Sequence, residues 1–169
     1  MAEASEQVMT PLPGDDVVVV FRTVTSAIRG RLVRLGATAD TVLSRHKMPD
    51  AASEALGQAL ALAALFGSVL PAEGKIILQT RSNGAVPFLV ADFEVPGRIR
   101  GYARTDQHIL SANTDADGGF RQRDLLGEGH LAITIDQGPG TDRYQGVIAL
   151  DGEPLEASRL EYTWASRFL

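Results

Sequence analysis

Lys75-Ile-Ile-Leu-Gln-Thr-Arg-Ser82-Asn83-Gly84-Ala-Val86-Pro-Phe-Leu-Val-Ala-Asp-Phe-Glu94 holds two runs of alternating side chains around one turn signal. Period-two alternation marks a strand with one buried face. Asn-Gly between two such runs is the strongest short-range hairpin signal. This stretch therefore predicts strands over Lys75–Ser82 and Val86–Glu94, joined at Asn83-Gly84. Downstream, Arg98–Arg104 reads as a third strand, and Leu131, Ile133 and Ile135 mark one face of a fourth. Gly138-Pro139-Gly140 lies in the following loop, Asp136–Asp142, and Arg143–Leu150 returns as a strand.

Upstream the period changes. Leu56–Leu70 is apolar nearly all round, with Asp50 as N-cap and Pro71 as the stop. A helix of that kind is buried, against a sheet or at a subunit interface. It is too short and interrupted to span a bilayer, which takes about 20 apolar residues. Thr38–Arg45 reads as a short helix whose end, at His46 and Lys47, suits the negative end of the dipole. Val17–Thr23 and Arg31–Leu35 read as strands with Gly30 as the turn or bulge between them. From Pro154 the spacing of Leu155, Leu160, Trp164 and Phe168 is helical. Strands and helices fall in separate runs, so the class is α+β: mostly antiparallel sheet, a long buried Ala/Leu-rich helix and a C-terminal helix.

The bulk numbers fit one domain. In 169 residues, 44% are hydrophobic and 22% charged, with net charge −5 and no cysteine. A basic run for nucleic acid is lacking, so no nucleic-acid partner is expected. Disulfides, thiolate nucleophiles and cysteine-ligated zinc are excluded in this chain. Residues 1–14 carry Glu3 and Glu6, two prolines and no apolar core, which is a flexible tail rather than a secretory signal. The expected location is the cytoplasm, with no membrane contact. Residues 15–169 form the domain.

Few motifs suggest chemistry. Asn113, Asp115 and Asp117, with Gly118 at position six and Asp124 at twelve, follow a calcium-loop template. Asn in first place, Asp in twelfth and Arg121 in ninth depart from it, and turn chemistry explains the same residues. Asp92 and Glu94 lie two apart on a strand and so share a face, as paired carboxylates for hydrolysis would; solvated charges at a hairpin end do the same. His46, His108 and His130 lack ligand spacing. The glycines at 118–119 and 138–140 do not open a helix after a strand, as a phosphate loop requires. The reading is a binding protein and not an enzyme. The alternatives are a small hydrolytic enzyme built from Asp92, Glu94 and a histidine, and a calcium-responsive binding domain.

The remaining features occur in a distinctive order: Ala27-Ile-Arg29-Gly30-Arg-Leu-Val33, the Ala/Leu-rich helix, Leu78-Gln79, Ser82-Asn83-Gly84-Ala-Val-Pro87, Arg100-Gly101-Tyr102-Ala103-Arg104, Leu125-Leu126-Gly127-Glu-Gly129, Ile133-Thr134-Ile135, Arg143-Tyr144-Gln145-Gly146-Val147 and Leu160-Glu161-Tyr162. The series, from about Asp15 to Tyr162, resembles the N-terminal core of the thirty-three-kilodalton heat-shock protein family, the redox-regulated holdase chaperones of bacteria. Asn83 stands where that family usually has an acidic residue, and 163–167 drift from its polar continuation. The resemblance implies an ATP-independent chaperone core that binds unfolding clients and is often a homodimer. It also implies a C-terminal cysteine switch that holds zinc, so no cofactor is expected in this cysteine-free chain. Trp164, Phe168 and Leu169 are apolar where termini are usually polar, and they are the candidate interaction residues.

Overall fold

The computed structural model describes residues 14–25, 28–113 and 122–152. Elements follow in the order β1 (Val17–Arg22), β2 (Arg29–Arg34), α1 (Ala37–Leu43), α2 (Asp50–Gly67), β3 (Lys75–Ser82), β4 (Phe88–Glu94), β5 (Arg98–Arg104), α3 (Gln107–Asn113), α4 (Gln122–Leu126), β6 (Glu128–Asp136) and β7 (Tyr144–Asp151). β1 and β2 make a two-stranded antiparallel sheet. The other five strands form a second sheet in the order β5-β4-β3-β6-β7. Every pairing is antiparallel, so the α+β class holds.

Alternation does what it predicts. Along β3 and β4 every second residue, Ile76, Leu78 and Thr80 with Leu89, Ala91 and Phe93, is buried. Ile133 and Ile135 of β6 continue the same face. α2 lies across it. Ala52, Ala55, Leu56, Ala59, Leu60, Ala63, Ala64 and Gly67 are its buried stripe, spaced three and four apart as a helix facing a sheet requires. The small residues let the helix sit close, and Gly101 of β5 leaves room for Leu56 and Leu60 above it. Leu62, Leu65 and Phe66 are half-buried, so α2 is less enclosed than its composition predicts.

Three local expectations change. Asp50 is the first residue of α2; Pro49 is the N-cap and no side chain caps the helix. Gly30 is not a turn but a paired position inside β2, opposite Phe21, whose ring occupies the space a Cβ would need. The hairpin turn lies further out, closed by Thr23 N–H donating to the Ile28 carbonyl at 2.9 Å. Asn83-Gly84 does not form a two-residue turn either. Residues 83–87 loop inward, and Ala85 and Val86 are fully buried. Their backbone bonds go to a distant segment: Asn83 N–H to Glu128 O, Gly84 to Leu126, Ala85 to Asp124 and Val86 to Leu125, at 2.8–3.2 Å. The Asn83 side chain accepts from Glu128 N–H at 2.8 Å. The C-terminal helix expected from Pro154, and all of the 1–14 tail but Gly14, lie outside the described residues.

Candidate functional site

The calcium-loop residues separate. Asn113 ends α3 with its amide donating to the Ile109 carbonyl at 3.0 Å, and Asp124 lies on α4. Asp115 and Asp117 fall outside the described residues, as do Trp164, Phe168 and Leu169. Among the described residues no group of three His, Cys, Asp or Glu side chains converges as metal ligands would.

Asp92 and Glu94 do share the outer face of β4, but each meets a cation. Arg100 donates to both Asp92 oxygens, at 3.0 and 2.9 Å, and Lys75 Nζ stands 3.9 Å away. Glu94 pairs with Arg98. With both oxygens engaged by one guanidinium, Asp92 is badly placed to take a proton from a substrate. Two of the histidines lie elsewhere: His46 packs edge-on against Tyr102, with ring centroids 5.4 Å apart, and His130 sits across from Arg81. The pieces of a hydrolytic site are thus neutralised or apart.

What the fold does expose is apolar. The β1–β2 register sorts the hairpin into two faces, because successive side chains alternate. Val18, Val20, Arg31 and Val33 turn towards the C-terminal end of α2. There Arg31 donates to the carbonyl and hydroxyl of Ser68, at 3.3 and 3.4 Å. Val17, Val19, Phe21 and Leu32 form the other face, with the Phe21 ring over Gly30. Towards the tip both faces are open: Val20 is 62% exposed, Phe21 48% and Ile28 58%, while Val24 is wholly in solvent. Val69, just past α2, is also exposed. Among the described residues both strands are edges, so each offers backbone donors and acceptors without a described partner beside this apolar surface.

The base of the hairpin is polar and fixed. Asp16 accepts from the Gly36 N–H at 2.9 Å and from the Thr38 N–H at 3.0 Å. Above all the Gly36 bond holds its carboxyl below the usual value near 3.8. Arg34 pairs with Asp15 at 2.8 Å. Between hairpin, α2 and the β4–β5 turn lies a cleft of about 360 Å³, walled by Val18, Leu35, Phe93 and Ile99 among others.

Sequence reading missed this surface. Val17–Phe21 is five apolar residues in a row, the pattern of a strand buried on both faces. Nothing local says that the described residues leave part of it uncovered.

Residues 16–167 match the family described as Hsp33 protein. The chain is 43% identical over 148 residues to the 33 kDa chaperonin of Caulobacter vibrioides strain NA1000, covering 88% of this chain and 49% of that protein. To the 33 kDa chaperonin of Pseudomonas syringae pv. syringae strain B728a it is 38% identical over 154 residues, 91% of this chain and 49% of the relative. The crystal structure of the 33 kDa chaperonin from Thermotoga maritima superposes with a TM-score of 0.71 at 23% identity, over 89% of this chain and 50% of that one, which shows the shared fold. The chain thus spans about half the length of the relatives it matches. With four-fifths of its length and more inside that match, it belongs to the Hsp33 family.

Proposed function

We propose that this domain is the binding core of an ATP-independent holdase chaperone, which captures unfolding polypeptides and keeps them from aggregating without chemical turnover. The observation that carries the reading is the β1–β2 hairpin, an apolar ribbon with both edges open among the described residues. Unfolding chains expose apolar side chains and unpaired backbone together, and such a ribbon answers both. Family membership supports the same reading, since the relatives are named chaperonins.

In this reading the clients are unfolded proteins in the cytoplasm, and the domain pairs with a second copy of itself. No helix among the described residues is long and apolar enough to cross a membrane. No cofactor is assigned to this chain. A zinc switch of the kind the resemblance implies needs cysteine thiolates, and there are none here to supply them. Redox control would therefore have to come from cysteines elsewhere.

The test is light scattering from a thermally unfolding client, with the 169-residue chain added and no nucleotide present. Suppression near stoichiometry is expected, unchanged by peroxide because the chain has no thiol. Val24→Ser with Ile28→Ser leaves the packed core alone, since both side chains are exposed. This variant should protect several-fold less well. Failure of the native chain to suppress aggregation, or full activity in the variant, would sink the proposal.

A further inference from the structure

The outer face of the five-stranded sheet, turned away from α2, is divided by charge. At one end the register aligns Arg98, Glu94, Lys75 and Asp136 across four strands, with signs alternating. Arg143 completes the series, 3.0 Å from Asp136. Cations there face carboxylates. At the opposite end Arg104, Phe88, Arg81 and His130 form one cross-strand row. Neither Arg81 nor Arg104 has a carboxylate partner among the described residues; Arg81 lies over the Phe88 ring, 5.7 Å from its centroid. Arg81, Phe88 and Arg104, with Ser82, Pro87 and Tyr102, line an open hollow of about 510 Å³. The acidic side chains nearest in register, Glu128 and Asp151, face each other on the β6–β7 side, beyond His130.

The row next to it is apolar except for Gln79: Tyr102, Val90, Gln79, Ala132 and Val147 lie side by side, and Tyr102 and Val147 are well exposed. A site for a small free anion would have no use for such a row. A polypeptide would. Arg104 and Arg81 are two strand spacings apart, about 10 Å, and an unfolded chain in the polyproline II form, at about 3.1 Å per residue and three residues per turn, covers that distance in about three residues and returns to the same side.

We infer that this corner docks acidic segments of unfolded polypeptide in which two carboxylates three residues apart bracket an aromatic or aliphatic side chain. The carboxylates meet Arg81 and Arg104, and the apolar side chain lies on Phe88 and Tyr102. Arginine suits the task because its planar fork grips a carboxylate while its face stacks on an aromatic ring. The inference rests on the client-binding reading and adds a preference to it. The apolar hairpin supplies general affinity, and this corner ranks segments by charge.

The experiment measures fluorescence anisotropy of labelled twelve-residue peptides added to the full 169-residue chain. One peptide carries Glu-x-Phe-Glu; in the others both Glu are Gln or Lys, or Phe is Ser. The Glu-Phe peptide should bind best and weaken several-fold as salt rises, since exposed pairs are screened. R81Q/R104Q should bind it about tenfold more weakly, as two exposed ion pairs allow. That variant alters only surface side chains, and a thermal melt checks that it folds. R98Q, at the compensated end, should bind as the native chain does. Equal binding of the Glu and Gln peptides, or unchanged affinity in R81Q/R104Q, overturns the inference. Displacement by inorganic phosphate with no preference for Phe would make the corner a phosphate site and also overturn it. Aggregation suppression is read separately. Its loss would defeat the chaperone reading, whereas peptide selectivity decides this corner.

Discussion

Replacing Thr80 by valine should stabilise the domain. Among the described residues Thr80 is the sole fully buried polar side chain, enclosed on β3 between Leu89 of β4 and Leu131 of β6. Its Oγ1 has no hydrogen-bond partner among them. A hydroxyl removed from water without a partner costs about 1–3 kcal/mol by mutational measures. Valine keeps the β-branched shape and replaces the hydroxyl with a methyl that suits its neighbours. The expected gain is therefore about 1–3 kcal/mol, and for a chain of this size each kcal/mol moves the melting midpoint by about 2–4 °C. Differential scanning calorimetry should show a rise of about 2–12 °C in Thr80→Val. Thr80→Ser is the companion. It keeps the hydroxyl but deletes a methyl from a close-packed site, so it should lose about 1 kcal/mol. A Thr80→Val midpoint at or below the native one would refute the reasoning. It would mean that the hydroxyl is satisfied, by a buried water for instance, and that its removal leaves that partner unpaired. Because Thr80 faces α2 and touches neither exposed surface, client protection at low temperature should not change.

Other substitutions probe other links. Gly67→Ala should gain up to about 1 kcal/mol in helix propensity yet lose more, because the new Cβ collides with the Phe93 ring. A net loss of about 1–3 kcal/mol is expected in urea denaturation, as for overpacked cores. Asn83→Ala removes the acceptor for Glu128 N–H and should cost about 0.5–1.5 kcal/mol by the same assay. The clasp at Asp16 is read by pH. A carboxyl lowered by folding adds stability above its ordinary value, near 3.8, and that stability disappears as pH falls through the lower folded value. Asp136, held down first by the Gly138 N–H and then by Arg143, acts in the same direction. Melting midpoints should thus drop below about pH 4, and Asp16→Asn should differ from the native chain at pH 7 but converge with it at pH 2.

The parts of the fold that could be read from sequence are those whose cause is local. Ile76, Leu78 and Thr80 alternate with Lys75, Ile77 and Gln79 because one face of β3 is covered and the other is not, and that pattern needs no knowledge of the partner. α2 is legible for the same reason. The misreadings at Gly30 and Asn83-Gly84 share a different cause. Gly30 reads as a turn, yet what requires a glycine there is the Phe21 ring across the strand pair. Asn83-Gly84 has every local mark of a tight turn, but its backbone is bonded to residues about forty positions later. The candidate surface was harder still. Five successive apolar residues from Val17 to Phe21 look the same in sequence whether a second layer covers them or not. Arg81 and Arg104 alternate like any surface residue; only the register shows that no carboxylate of the described residues pairs with them.

An exposed apolar ribbon beside a packed core raises a physical difficulty: it should fold back onto that core. Burial gains about 25 cal/mol for every Å² of apolar surface covered, so Phe21, Val24 and Ile28 would gain by collapsing. The polar bonds at the base of the hairpin oppose this. Asp16 is tied to the start of α1 through Gly36 and Thr38, Arg34 to Asp15, and Arg31 to the end of α2 at Ser68. These contacts fix the direction in which β1 and β2 leave the core, and the strand pairing carries that direction to the tip. Phe21 lying on Gly30 also covers part of its own ring within the ribbon, which lowers the gain from collapse. The arrangement anchors one end and frees the other, so the apolar surface stays available without loosening the core beneath it. It follows that the anchor, and not only the apolar residues, governs binding. Breaking Arg31–Ser68 or the Asp16 clasp should reduce client protection even though neither contact presents an apolar side chain.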